Sequence, residues 1–115
     1  MSEQIDDEIE YPSLSVNKSW QGRKFKTPLY SKWRFDLELL LKKKEMVMGW
    51  VEIELHFYIK SFGITDADNL VKCFVDSLVN KDYIEDDRKV VHYDIWKHKI
   101  KGREKIKFII KKYGN

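Results

Sequence analysis

The sequence predicts an α+β fold: a small single domain whose mixed, largely antiparallel sheet packs against two main helices, about residues 28–44 and 68–80. The first observation is strict alternation. Val51, Ile53, Leu55, Phe57 and Ile59 interleave with Glu52, Glu54, His56 and Tyr58, the period-two pattern of a strand with one face inward. The second is helical spacing. Leu29, Trp33, Leu37, Leu40 and Leu41 recur on one stripe, and Leu70, Val71, Phe74, Val75, Leu78 and Val79 on another. The third is size: 115 residues with 43% hydrophobic content can form a real core within one domain.

In chain order, residues 1–10 read as a flexible acidic tail, low in apolar residues and one-signed in charge, so that the folded domain would span 11–115. Tyr11 to Asn17 alternates in a short strand-like way, with Pro12 suited to a strand start or edge. From Asn17 to Thr27 the chain is basic and interleaved with aromatics, and Gly22 breaks it. Lys18, Arg23, Lys24 and Lys26 could contact phosphates from a hairpin or loop, or the stretch could be a solvated hairpin anchored by Trp20 and Phe25. Thr27-Pro28 opens the first helix as cap and first turn, and the basic run Lys42-Lys43-Lys44 favours its C-terminal end. After the central strand and the second helix, residues 89–98 and 105–113 read as strands joined by a hairpin at Lys101-Gly102-Arg103.

Charge is segregated along the chain. Residues 17–44 carry nine bases against two acids and residues 88–115 ten against two, while residues 60–87 between them carry seven acids and three bases. Basic blocks bordering an acidic centre suit a protein that holds a polyanion, although lysines also simply solvate exposed faces. The single cysteine, Cys73, sits in an apolar run and excludes an internal disulfide framework. No apolar run approaches the length of a membrane span and no signal layout precedes the domain, so a soluble cytoplasmic protein is expected, without a membrane partner.

The acids of the central block gather at the two ends of the second helix: Asp66 and Asp68 at its start, Asp86 and Asp87 beyond its end. Asp68 or Thr65 could cap the helix, which would account for the first pair alone. If the chain returned over the sheet, three or four hard oxygen donors would converge and suit Mg²⁺, with Mn²⁺ as a substitute. An EF-hand loop from Asp66 is excluded because Val71 and Ser77 stand where Gly and Glu are required. His56, His92, His98 and Cys73 lack zinc spacing, and the five glycines form no phosphate-cradling motif, so no organic or nucleotide cofactor is indicated. Lys72 lies one turn beyond Asp68, where it could reach a phosphate or merely pair with Asp68 or Asp76.

The string Asp66-Ala67-Asp68-Asn69-Leu70-Val71-Lys72, followed by Asp76, the pair Asp86-Asp87, an apolar strand and Lys97, resembles the RusA family of Holliday junction resolvases, typically encoded by phages or prophages. The resemblance implies a small α+β homodimer that nicks four-way DNA junctions symmetrically with a divalent metal. It implies Asp66, Asp68 and Asp87 as acidic metal-binding and catalytic residues, Lys72 as the essential base, and Lys97 among the DNA contacts. Asp76 and Asp86 match acidic places of less certain role, Asp86 being a candidate fourth metal ligand. The acidic residues 1–10 depart from the family pattern. A catalytically inactive junction- or duplex-binding module is the alternative reading.

Overall fold

The computed structural model describes residues 3–14, 20–21, 25–26 and 28–114. Its centre is β4 (Val51–Ile59), whose inward residues Val51, Ile53, Leu55, Phe57 and Ile59 are all buried as the alternation requires. Such a strand exposes two rows of backbone donors and acceptors, and both are paired. β6 (Lys105–Lys112) runs antiparallel along one side and β5 (Val90–Lys99) parallel along the other. β1 (Gln4–Ile9) completes the sheet beyond β6, giving the order β1-β6-β4-β5 with one parallel and two antiparallel pairings. The α+β class therefore holds, with a mixed, largely antiparallel sheet.

Two predicted connections differ. Residues 100–104 do not close a hairpin, because β5 and β6 flank β4 instead of pairing. The loop passes over the end of β4, where the Ile100 N–H donates to the Ile59 carbonyl at 3.2 Å. Residues 4–9, expected as a tail, form β1. Ile5 and Ile9 point inward and are buried against Ile110 and Ile106 of β6, Asp6 and Glu8 point to the other face, and Asp7, inward between the isoleucines, pairs with Lys44 at 3.3 Å.

The first helix, α1, spans Pro28–Leu40, and Leu41 adds one further backbone bond to Leu37. It ends before the predicted 44, so Lys42, Lys43 and Lys44 lie beyond its last turn. Its buried stripe is Tyr30, Trp33, Leu37 and Leu41; Leu29 and Leu40, expected inside, flank it and stay half exposed. Thr27, the predicted cap, lies outside the described residues. Residues 11–14 form no strand and lie along α1 instead: Trp33 Nε1 donates to the Pro12 carbonyl at 2.7 Å and the Tyr11 hydroxyl to the Trp33 carbonyl at 2.8 Å. Two short strands, β2 (Trp20–Gln21) and β3 (Phe25–Lys26), pair antiparallel.

The second helix, α2, spans Asp68–Asn80, matching the predicted bounds. Parallel neighbours such as β4 and β5 need a crossover connection, and α2 is that crossover. Its face of Leu70, Cys73, Phe74, Val75 and Leu78 is buried, and Phe74 meets Phe57 and Phe108 edge-on across the sheet. Among the described residues no helix is long and apolar enough to cross a membrane.

Candidate active site

The site is built by the two ends of the crossover. At the start of α2 the cap position is Ala67, itself helical in conformation, and the first backbone bonds run from Asn69 to the Asp66 carbonyl and from Leu70 to the Ala67 carbonyl. Neither predicted cap operates. The Thr65 hydroxyl is bonded to that of Ser61 at 2.7 Å, and Asp68 is already the first helical residue. The carboxylates of Asp66 and Asp68 are exposed and, among the described residues, make no hydrogen bond or ion pair. Exposure also removes the burial cost that an acidic cluster in an apolar segment would otherwise carry.

At the other end the chain must turn back sharply. Asp82 sits at φ 60°, the Tyr83 N–H reaches the Leu78 carbonyl at 2.9 Å, and the Asp82 N–H reaches the Val79 carbonyl at 3.0 Å. This is a Schellman closure with aspartate where glycine is usual, and aspartate tolerates the left-handed region better than most residues. The following Tyr83 and Ile84 are fully buried, which pins the return. A short 3₁₀ turn, Asp87–Lys89, then delivers the chain to β5 and leaves Asp86 and Asp87 beside α2.

The result is a cleft of about 300 Å³ between α2 and β5, lined by Asp68, Lys72, Asp76 and Asp87 together with Val71, Val75, Tyr93 and Ile95. Three of the four residues implied as catalytic, Asp68, Lys72 and Asp87, thus share one surface. Asp66 does not join them. It lines a neighbouring depression with Ser61, Ile64, Thr65 and Asn69. Asp86 shares a second depression with Arg34, Lys72, Asp76 and Asp87.

Electrostatics at the closed end are dominated by crowded carboxyls. Asp87 is held above the ordinary carboxylate range, first by a hydrogen bond with Asp86, then by burial and by the Asp86 charge, with Asp76 adding repulsion and Lys72 opposing. Asp86 is held below it, chiefly by its hydrogen bond from Arg88, whose guanidinium lies at 2.8 Å. The two neighbouring carboxyls are thus pushed in opposite directions, Asp87 up and Asp86 down. Tyr93 is pushed up to about 12 by burial, then by Asp87 and Asp76, so its hydroxyl stays protonated at neutral pH.

Lys72 Nζ donates to Asp76 Oδ1 at 3.1 Å, which decides between the two ion-pair partners the sequence offered. Lys97 points inward from β5. Its Nζ donates to the Phe62 and Thr65 carbonyls at 2.6 and 2.8 Å and lies 4.6 Å from the Phe62 ring centre. It clasps the loop that leads to Asp66, and a phosphate contact from it would displace those bonds. Of the other basic candidates, Lys18, Arg23 and Lys24 lie outside the described residues, and for Lys26 only the backbone in β3 is described.

Sequence reasoning did not single out Tyr30, Arg34 or Tyr93. Tyr30 and Arg34 are one turn apart on α1, so their shared side was readable, whereas their meeting with Asp76 depends on how α1 packs against α2. Among the described residues no three His, Cys, Asp or Glu side chains converge closely enough to hold a metal ion. A 13-residue helix explains the spread, since Asp68 and Asp76 are separated by about 12 Å of helical rise.

A search of curated proteins returned no match. The family model described as endodeoxyribonuclease RusA matches residues 12–111, from just after β1 to the penultimate residue of β6. That match takes in the whole crossover, both of its acidic ends and the sheet that joins them, and by it the chain belongs to the RusA endodeoxyribonuclease family.

Proposed function

We propose that the protein is a divalent-metal-dependent endodeoxyribonuclease that resolves four-way DNA junctions by paired, symmetric nicks, acting as a homodimer. The observation that carries this reading is the single cleft lined by Asp68, Lys72 and Asp87 in a member of a nuclease family. The donor chemistry fits a hard cation. Asp86 and Asp87 crowd each other, and their mutual repulsion holds Asp87 up, a repulsion that a bound cation would relieve. Asp68 and Asp87 on the cleft, joined by Asp66 and Asp86 drawn in from the depressions on either side, would hold Mg²⁺, or Mn²⁺ in its place. Bound there, the ion supplies charge neutralisation at the phosphoryl oxygens and a water acidic enough to attack.

The chain's own residues have separate tasks. Asp87, held above the ordinary carboxylate range, ligates only when ionised, so activity should rise with pH through that raised range. Lys72, half exposed on the ridge between two depressions, offers a point charge to a phosphate oxygen. Val71, Val75 and Ile95 form an apolar wall that limits water and strengthens the local charges. A junction has two scissile strands related by approximate two-fold symmetry, which two copies of one site in a C2 dimer would match.

The test is cleavage of a synthetic four-way junction with and without Mg²⁺. Paired nicks are expected with metal, and Asp68→Asn should cut at least about 100-fold more slowly while still binding the junction. Equal cutting of linear duplex, or full activity in Asp68→Asn, overturns the proposal. The separation of Asp66 from the cleft favours one second reading, a module that binds junctions without cutting them. Junction binding with no cleavage in either Mg²⁺ or Mn²⁺ would select it.

A further inference from the structure

The Lys72–Asp76 pair has a property that helix energetics do not explain. An exposed pair four residues apart contributes only about 0.3–0.5 kcal/mol, and this one has the base N-terminal to the acid, the weaker orientation on a helix. Yet the acid is anchored from the core side. Asp76 Oδ1 accepts from Lys72 Nζ at 3.1 Å, and Oδ2 accepts from the Tyr30 hydroxyl of α1 at 3.3 Å. Tyr30 is only 1% exposed, and its ring stacks on Trp33 with 22° between planes, so the hydroxyl has little freedom. Arg34, one turn on, stands in hydrogen-bonding reach of the same hydroxyl and is itself tied to Glu38 at 2.6 Å. A flexible ammonium is thus attached to a carboxylate fixed through a buried ring.

We infer that Asp76 is a positioning residue: held by Tyr30, it keeps the Lys72 ammonium over the cleft it shares with Asp68 and Asp87. This rests on the reading above, in which Lys72 meets the scissile phosphate. A long lysine side chain loses considerable rotamer entropy when it is fixed. Asp76 imposes that order before substrate arrives, and misplacement of a charge by about 1 Å can cost about 100-fold in rate. The carboxylate also spans both depressions that Lys72 borders, so the ammonium can reach a phosphate without leaving its anchor.

The experiment compares Tyr30→Phe, Asp76→Ala, Lys72→Ala and the double variant Asp76→Ala/Lys72→Ala on junction DNA, and records kcat, KM and the Mg²⁺ concentration for half-maximal rate. Asp76→Ala should lower kcat about 10- to 100-fold and Tyr30→Phe less, with KM and the Mg²⁺ requirement unchanged. In the Lys72→Ala background, loss of Asp76 should cost nothing more. Multiplying losses would show that Asp76 acts independently of Lys72, and a raised Mg²⁺ requirement would make it a metal ligand; either overturns the inference. A second measurement needs no cleavage. The NMR order parameter of the Lys72 Cε–Hε group should fall in Tyr30→Phe and Asp76→Ala, and an unchanged value overturns the inference. If the wild-type protein proves inert on junctions, the functional reading fails while the NMR result still decides this one.

Discussion

At the scale of single residues, the outer face of the sheet carries a titratable cluster remote from the cleft. His56 Nδ1 lies 2.8 Å from His98 Nε2, and His56 Nε2 lies 2.6 Å from Glu54 Oε2. One arrangement satisfies both contacts with neutral rings: His98 Nε2–H donates to His56 Nδ1, and His56 Nε2–H donates to Glu54. Tyr58 and Trp96 stack on the two histidines, at 4.6 Å from His98 and 6.3 Å from His56. Burial, and then the proximity of His56, hold His98 below its ordinary 6.5. A depressed folded-state pKa means that the unfolded chain binds the proton first. The stability tied to neutral His98 is therefore complete above about 6.5 and lost as pH falls through the folded value. Urea midpoints measured from pH 7.5 to 5.5 should fall more steeply for the wild type than for His98→Gln; parallel slopes would remove His98 as the cause. The same scale shows what was legible. Asp68, Lys72 and Asp87 drew notice as candidates through residue type and spacing, because a carboxylate's donor character travels with the residue, and the fold puts them on one cleft. Tyr30, Arg34 and Tyr93 did not, since a tyrosine on a helix stripe or strand reads as core until its hydroxyl finds a partner from another element. The two carbonyl acceptors of Lys97 stayed hidden for the complementary reason: they belong to a loop more than 30 positions away.

At the scale of elements, the first strand separates the two ways of reading residues 1–10. Acids at positions 3, 6, 7, 8 and 10 swamp the apolar signal of Ile5 and Ile9, and composition alone points to a solvated tail. Pairing resolves the conflict. The strand lies on the edge of the sheet, its outward acids face the lysines of β6, and Lys105 Nζ approaches Glu8 Oε2 to 3.5 Å. Charged residues on an edge also discourage pairing with other chains. Ile5→Ala should therefore cost about 2 kcal/mol, whereas Glu8→Ala, which removes only a half-exposed pair, should change stability by no more than about 0.5 kcal/mol. Thermal melting of the two variants is the check, and an unchanged melting temperature for Ile5→Ala would return the segment to the status of a tail. The central strand and α2 were legible because their periodicities are strong and nearly uninterrupted. The end of α1 was not: leucines continue to Leu41 and lysines to Lys44, so pattern alone extends the helix past the point where the backbone leaves it. The false hairpin has the same origin, since a short glycine-containing link looks alike whether it joins neighbours or crosses one intervening strand.

At the scale of the whole molecule, the candidate site exists only through the fold. Asp68 and Asp87 are separated by a helix and a reversal, and in the extended chain each is an isolated carboxylate with negligible preference for a divalent ion. The core that joins them is continuous: Leu37 of α1, Phe74 of α2, Phe57 and Phe108 of the sheet, and Tyr83 at the reversal are all buried in one cluster. No part of the cleft can form while the rest remains open, so a cation bound by the gathered carboxyls binds the native state in preference to the unfolded one. Linkage then predicts a stability increment set by concentration over dissociation constant, about 1.4 kcal/mol at a tenfold excess. For a domain of this size that is about 5 °C in melting temperature. Melting in 10 mM Mg²⁺ should lie above melting in EDTA, and the increment should shrink in Asp87→Asn while the melting temperature in EDTA holds or rises, because that substitution also relieves the crowding that raises Asp87. A Mg²⁺ increment undiminished in Asp87→Asn would place the ion elsewhere on the molecule. No increment at all would leave the carboxyl cluster without a cation to hold, and with it would go the metal-dependent chemistry assigned to the cleft.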